Sequence, residues 1–398
     1  MFPGCGIYPA CFRGRHVTPL RFEHFPLPKQ AELLRQEVRT FLRGCSTTWT
    51  PVRRAQSWDG LDPEFSRQVG ARGWIGMTWP KSYGGSERSA LDRYVVMEEM
   101  LFAGAPVSFH WIADRQSGPL LLRFGTEQQR RTILPRIARG ELCFCIGLSE
   151  PDAGSDVASI RTKARKSDGG WRVNGTKLWT TNAHRAQYMI GLFRTAGDVS
   201  ERHAGLSHFL VDLSLPGITV RPIRDLTGAE HFNEVIFDDA LLPEDALIGR
   251  LGEGWSQAMT ELAFERSGPE RFLSSIQALI QLIRHVGKAP TEEAAALIGR
   301  LIAQLVTLRN MSLSVSGMLE AHQDPALEAA VVKDLGGSFE QSLPEAVQNL
   351  LGLELGSGEG SDLHQVTAHL MQMSPAYSLR GGTREILRGI IARGLGLR

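Results

Sequence analysis

Cysteine is scarce in this chain, with five residues in 398, at positions 5, 11, 45, 143 and 145. So few in so long a chain exclude a disulfide framework. Cys143 and Cys145 alternate along one apolar run and face the same side. A metal needs more ligands than this pair, and no other His or Cys stands at suitable spacing nearby, so they read as buried core thiols and no metal is expected. Excess charge of one sign is also missing: 44 basic residues oppose 43 acidic ones, a formal charge of +1. Binding to nucleic acid needs a positive surplus, so no nucleic-acid partner is expected. The C-terminal region makes the same point, since residues 248–398 hold 13 Lys and Arg against 16 Asp and Glu. Long apolar runs are absent too. The uncharged stretch of residues 272–283 in the C-terminal half is too short for a bilayer and is broken by Ser and Gln, so no membrane span is expected. The first 27 residues carry Arg13, Arg15, His16, Arg21 and Glu23 without a continuous apolar core, which argues against a secretory signal. The cytoplasm is the default location.

What is present is ordinary globular composition, 42% hydrophobic and 22% charged, over a length that implies two or three substructures. After an N-terminal extension over 1–27, given no structural assignment, residues 28–141 carry a helical period. Leu33, Leu34, Val38, Phe41 and Leu42 recur at three- and four-residue spacing. Asp62-Pro63 reads as an N-cap with proline in the first turn, and Ser89 opens a third helix. Thr126-Glu-Gln-Gln129 reads as a capping box whose helix Pro135 limits. Over 142–248 short β-rich runs alternate with Gly, Pro, Asn and Asp, which predicts an antiparallel sheet domain. From 249 to 398 the helical period returns. Glycines 352, 356, 358 and 360 mark a loop there, and with no strand–turn–helix frame they do not read as a nucleotide loop.

Two segments carry the chemistry. Cys143-Phe-Cys-Ile146 reads as a buried strand that runs into Gly147-Leu-Ser-Glu-Pro-Asp-Ala-Gly-Ser-Asp-Val157, a turn rich in hydroxyl and amide donors. Trp179-Thr-Thr-Asn182 follows an apparent turn at 173–176 and sets an indole among hydroxyls. A flat aromatic wall beside a donor-rich turn suits a flat ligand with a polar edge. Each segment alone could also be a polar turn or a core tryptophan.

Both segments, in this order and spacing, resemble the flavin-binding strands of the acyl-CoA dehydrogenase family. So do Gly73–Gly85, Phe124–Gln129 and Val235–Asp239, which bear on the fold rather than the chemistry. The resemblance covers roughly residues 28–398. It implies an α+β fold with an N-terminal helical domain, a central antiparallel β-sheet domain and a C-terminal four-helix bundle, and FAD as cofactor. Transferred residue by residue, it assigns flavin contacts to Ile146, Leu148, Ser149, Gly154 and Ser155, and to Trp179, Thr180 and Thr181. Thr383 and Glu385 near the C-terminus join them. Ser155 and Gly382 would help seat the thioester.

The reaction the resemblance implies removes a proton α to a thioester while a hydride leaves the β carbon for flavin N5. That needs a carboxylate in a site dry enough to raise its pKa. Many members place it just before Gly-Thr near the C-terminus. Here that stretch reads Leu379-Arg-Gly-Gly-Thr-Arg-Glu-Ile386, and the position is Gly381, which cannot take a proton. Another branch, the isovaleryl and long-chain type, carries the glutamate on the helix after the sheet domain. Gly254–Arg266 aligns with that helix without a gap, putting Glu265 at the base position and Arg266 beside it as a substrate contact. Pro269 withholds the amide that would bond the Glu265 carbonyl, so the helix should be irregular there. The alternative is that Glu261, Glu265 and Glu270 line a solvated face.

The sequence also departs from the family. Ile283–Thr291 lacks the usual Arg-x-x-Phe-Gly, and Gly352–Gly360 lacks Gln-x-x-Gly-Gly-x-Gly, strings that grip the adenine and diphosphate half of FAD. The expected substrate is an acyl-CoA or an acyl-carrier-protein thioester, and the expected acceptor an electron-transfer flavoprotein. A homodimer, a homotetramer and a heteromer all remain open. Other chemistries on this fold are a flavin monooxygenase or oxidase, or one subunit of a heteromeric dehydrogenase.

Overall fold

The structure is a computed structural model that describes residues 19–198, 200–265, 268–354 and 360–397, and for 260–265 the backbone alone. Among these residues the order is helical, sheet, helical. The first body holds α1 (Lys29–Cys45), α2 (Pro51–Ala55), α3 (Pro63–Ala71), α4 (Ala90–Ala103), α5 (Ser108–Ile112), α6 (Gly118–Phe124) and α7 (Glu127–Ala138). The caps are those the sequence predicts. The Asp62 carboxylate accepts from the Phe65 amide at 3.0 Å, the Ser89 hydroxyl from the Asp92 amide at 3.0 Å, and Thr126 and Gln129 close a reciprocal capping box. Pro135, expected to limit α7, lies inside it, and the helix runs on to Ala138. One turn of π-helix, Ala113–Ser117, joins α5 to α6.

The sheet has eight strands, β1 (Phe144–Gly147), β2 (Lys163–Ser167), β3 (Gly170–Lys177), β4 (Tyr188–Arg194), β5 (Leu206–Asp212), β6 (Ile218–Ile223), β7 (Phe232–Leu242) and β8 (Leu247–Ile248). They lie in the order β6-β7-β3-β2-β4-β5-β8, with β1 against β4. The sheet is mixed rather than antiparallel: β1 runs parallel to β4, and β2 meets β4 in parallel through Lys163 and Arg194. The physical reason is the long excursion between β1 and β4, which carries the turn of 147–157 and the β2–β3 hairpin and so returns the chain in the same direction. The apparent turn at 173–176 is instead a bulge within β3. Gly175 has φ +141° there, and a Cβ would come within 2.6–2.8 Å of Thr162.

Strand β1 joins two cores. Phe144 belongs to the helical core with Ile190, whereas Cys145 belongs to the sheet's own core with Met189, Phe193 and Phe209. Beyond the sheet, α8 (Gly254–Glu265) leads into α9 (Ile276–Val286), α10 (Glu292–Glu320), α11 (Ala326–Leu351) and α12 (Asp362–Tyr377), which pack on one another as a four-helix bundle, with α13 (Arg384–Gly394) against α11. Residues 19–28 form no regular element. They cross the bundle: Phe22 packs beside Val315 and Val332, Phe25 lies over Gly317, and the Arg21 amide donates to Glu328 at 3.0 Å. No helix among the described residues is long and apolar enough to cross a membrane.

Candidate active site

Gly147 ends β1 where a Cβ would come 2.5 Å from Met189 Sδ, so a larger residue there would push that side chain aside. The chain then turns on two backbone bonds, Glu150 N–H to the Ala153 carbonyl (2.9 Å) and Ala153 N–H to the Glu150 carbonyl (3.1 Å). The turn leaves Gly154 and Ser155 exposed and Ile146, Leu148 and Ser149 half-buried. Directly after β3, the Leu178 amide donates to the Ser149 carbonyl at 2.9 Å, so the two predicted segments lie side by side.

Trp179 has φ +59° and is 56% exposed, its indole set edge-on to Phe232 at 6.0 Å. A tryptophan held in the left-handed region and left uncovered is strained and unshielded, a combination that points to a ligand face. Thr180 is buried and fixed at both backbone ends by Asn233, and its hydroxyl oxygen has no partner among the described residues. Thr181 is half-buried. Asn182, at φ +57°, donates from its side chain to Ser108 Oγ at 2.7 Å and so ties this strand to α5. An open indole, an orphaned buried hydroxyl and exposed donors at 154–155 fit a flavin ring with its polar edge.

Sequence reasoning missed the pair behind these segments. Lys177 is 0% exposed, and its ammonium donates to Glu150 Oε1 at 2.8 Å and to the Leu148 carbonyl at 3.2 Å. Glu150 also accepts the amides of Arg161 (2.6 Å) and Thr162 (3.0 Å). Burial pushes the Glu150 carboxyl up, but Lys177 outweighs it and holds the group below the usual carboxylate range. Burial pushes Lys177 down to about 8, with Glu150 opposing. The signal was available: Lys177 falls in the inward period of Trp171 and Val173, where a charge needs a buried partner.

Helix α8 is anchored at its start, where the Gln257 amide side chain bridges the His208 ring (3.0 Å) and the Ile248 carbonyl (3.3 Å). Its described residues run to Glu265, three positions before Gly268-Pro269. The Glu265 side chain and all of Arg266 lie outside the described residues. The chain resumes in a tight turn, Pro269–Arg271. Glu270 there is 1% exposed and pairs with Arg115 of the π-helical turn at 3.0 Å, so it lies on no solvated face. Burial raises its carboxyl, yet Arg115, Arg271 and Arg93 hold it low.

Gly381 has φ +71°, and a Cβ would come within 2.9–3.1 Å of the Arg271 guanidinium. Gly382 has φ +103°. Beside them Arg380 pairs with Glu340 at 2.9 Å and lies 4.0 Å over the Trp58 ring. Thr383 caps α13, and Glu385 on its first turn is exposed, its carboxyl held low by its own amide and the Thr383 hydroxyl. No hydrogen bond or ion pair among the described residues joins Thr383 or Glu385 to the segments at 146–155 and 179–181.

A cavity of about 620 Å³ opens beside Asn182, between the helical bodies and the sheet, lined by Asp59, Pro106, His231, His369 and Met373 among others. Burial raises the Asp59 carboxyl and lowers the His369 imidazole, both shifts favouring the uncharged form. Among the described residues no group of three or more His, Cys, Asp or Glu could hold a metal ion.

Three family models match in succession: the N-terminal domain of acyl-CoA dehydrogenase over residues 28–141, its middle domain over 145–240 and its C-terminal domain over 252–396. The chain is 35% identical over 346 residues to the acyl-CoA dehydrogenase IpdE1 of Mycobacterium tuberculosis, covering 84% of this chain and 87% of that one. It is 28% identical to a mitochondrial isovaleryl-CoA dehydrogenase of Solanum tuberosum, over 84% of this chain and 82% of that one. Among solved structures, the ChsE4-ChsE5 complex from Mycobacterium tuberculosis matches with a TM-score of 0.80 and 27% identity, over 95% of this chain and 100% of the matched chain. Domain order, sheet and sequence agree: the chain belongs to the acyl-CoA dehydrogenase family, the flavin-dependent oxidoreductases that act on the CH–CH bond of acyl thioesters.

Proposed function

We propose that this acyl-CoA dehydrogenase takes the α proton of its thioester substrate on Glu265 and holds FAD on the paired segments around Ser149 and Trp179. The observation that carries the base assignment is at Gly381. The family's commonest base position is a glycine in the left-handed region, faced by a buried guanidinium, and it carries no carboxylate. Glu265 stands at the end of α8, on the helix where the isovaleryl-type branch carries its base, and the chain has an isovaleryl-CoA dehydrogenase among its relatives.

In this reading Trp179 covers one flavin face, and the Thr180 and Thr181 hydroxyls face its centre. Ile146, Leu148, Ser149, Gly154 and Ser155 meet its polar edge, and Thr383 and Glu385 hold it from α13. FAD, when bound, supplies the hydride acceptor. Ser155 and the Gly382 backbone seat the thioester, Arg266 steadies it, and Glu265 accepts the proton in a pocket closed to water, which raises its pKa toward neutrality. Orientation of base and thioester by a rigid frame can supply several orders of magnitude in rate. The acceptor is an electron-transfer flavoprotein. A second, related chain is the partner that best fits the missing family motifs at 283–291 and 352–360, and paired chains occur among the structural neighbours.

Anaerobic titration of the purified flavoprotein with a panel of acyl-CoAs tests this reading. One or more thioesters should bleach the flavin, and Glu265→Gln should slow bleaching by roughly 10³-fold or more, the scale of a lost general base. A panel in which no thioester bleaches the flavin, or a Glu265→Gln protein as fast as its parent, would refute the assignment.

A further inference from the structure

The buried Lys177–Glu150 pair does more than join two strands. A trans peptide is planar, and its C=O and N–H point in opposite directions. The Leu148 carbonyl is drawn inward onto the Lys177 ammonium at 3.2 Å, so the Ser149 N–H, on the same peptide plane, points away from the interior. That amide donates to no acceptor among the described residues, while the Ser149 carbonyl accepts from Leu178. Glu150 fixes the ammonium in turn, and is itself held by the amides of Arg161 and Thr162. The chain runs from amides to carboxylate to ammonium to carbonyl, and leaves one backbone donor aimed outward beside Trp179.

We infer that Lys177 and Glu150 are positioning residues that turn the Leu148–Ser149 peptide so that its N–H faces the polar edge of the flavin. The inference rests on FAD lying against the Ser149 and Trp179 segments. Neither side chain touches the cofactor, since Lys177 is fully buried and Glu150 nearly so. A pair that served packing alone could be replaced by neutral groups of similar shape without consequence at the flavin. A pair that orients the peptide cannot, because the Leu148 carbonyl loses its donor. The groups facing the ammonium are Glu150 from the turn, His208 from β5 and the Phe193 ring from β4, with Arg194 of β4 approaching Glu150. Of these Glu150 alone is an anion, so losing the ammonium proton removes the ion pair and weakens the hold on the Leu148 carbonyl.

The test compares the parent with the double variant Lys177→Met/Glu150→Gln, which removes both charges together and avoids stranding one. Apo-protein is titrated with FAD, read by flavin fluorescence between pH 6.5 and 9.5. The parent should bind FAD more weakly as pH rises through about 8, where the amine titrates. The double variant should melt near the parent temperature, bind FAD at least tenfold more weakly and show no such pH dependence. Parent-like affinity and pH profile in the variant would overturn the inference. Should the variant fail to fold, a flat parent profile overturns it and the expected decline supports it. A parent that binds no FAD at any pH would instead refute the cofactor reading.

Discussion

Gly381 and Trp179 are two residues whose backbone angles carry functional content. Glycine at φ +71° against a guanidinium is the natural occupant of position 381, and any L side chain there is strained and crowded. Installing the family's usual glutamate should therefore fail as a rescue. Gly381→Glu in a Glu265→Gln background is expected to leave flavin bleaching by acyl-CoA at the level of Glu265→Gln alone. It should also lower stability by about 1 kcal/mol or more in chemical denaturation. Recovered bleaching would mean that position 381 can still serve the base. At Trp179 the strain is borne by an aromatic residue, φ +59°, which nothing in local propensity favours. Trp179→Ala is expected to weaken FAD binding at least tenfold with little loss of apo-protein stability, since the indole is mostly exposed. A large fall in melting temperature with unchanged FAD affinity would recast the residue as core.

Elements differ in how far they could be read in advance. Helix starts were legible at Asp62, Ser89 and Thr126, where the cap's bonds close within three residues. The parallel β1–β4 pair was not, since it joins Phe144 to Tyr188 across the whole turn-and-hairpin excursion. β2, Lys163–Ser167, was missed because its basic sequence carries no β-pattern of its own. Proline at 135 misled in the opposite sense: its ring is tolerated within α7, whose packing decides the helix. The segments at 147–157 and 179–182 were legible as motifs, whereas the Lys177–Glu150 pair behind them joins residues 27 positions apart in sequence. Glu270, grouped by spacing with a solvated face, is buried because Arg115 awaits it 155 positions away. Residues 19–28 offered no period at all, yet they strap α10 and α11. Phe25→Ala should cost roughly 1–3 kcal/mol, because Gly317 opens a slot that the ring fills. Unchanged denaturation midpoints in that variant would reduce the strap to a surface tail.

At the scale of the whole molecule, two buried histidines set the acid limit, one inside the first helical body and one joining the sheet to α8. His110 on α5 hydrogen-bonds Ser66 of α3, and His208 on β5 hydrogen-bonds Gln257 of α8. Burial lowers both imidazoles to about 4 from an ordinary 6.5. The unfolded chain therefore binds two protons that the native chain refuses between those values, and stability rises with pH across that window. The stabilisation is complete above pH 6.5 and is lost progressively as pH falls toward 4, in total several kcal/mol. Urea denaturation at stepped pH should show that loss; a stability flat from pH 7 to 4.5 would mean the rings are not held neutral. The π-helical turn, the Pro269–Arg271 turn and the Gly381 corner come around one another through Arg115, Glu270 and Arg271. The proposed base on α8, in place of position 381, would thus be a property of the assembly and not of one motif.

The most direct measurement of that base is exchange of the substrate α proton. A thioester that bleaches the flavin, incubated with enzyme in deuterated buffer, should gain deuterium at the α carbon with the parent and at a rate lowered by roughly 10³-fold with Glu265→Gln. Exchange by Glu265→Gln at the parent rate would place the base elsewhere and contradict the account.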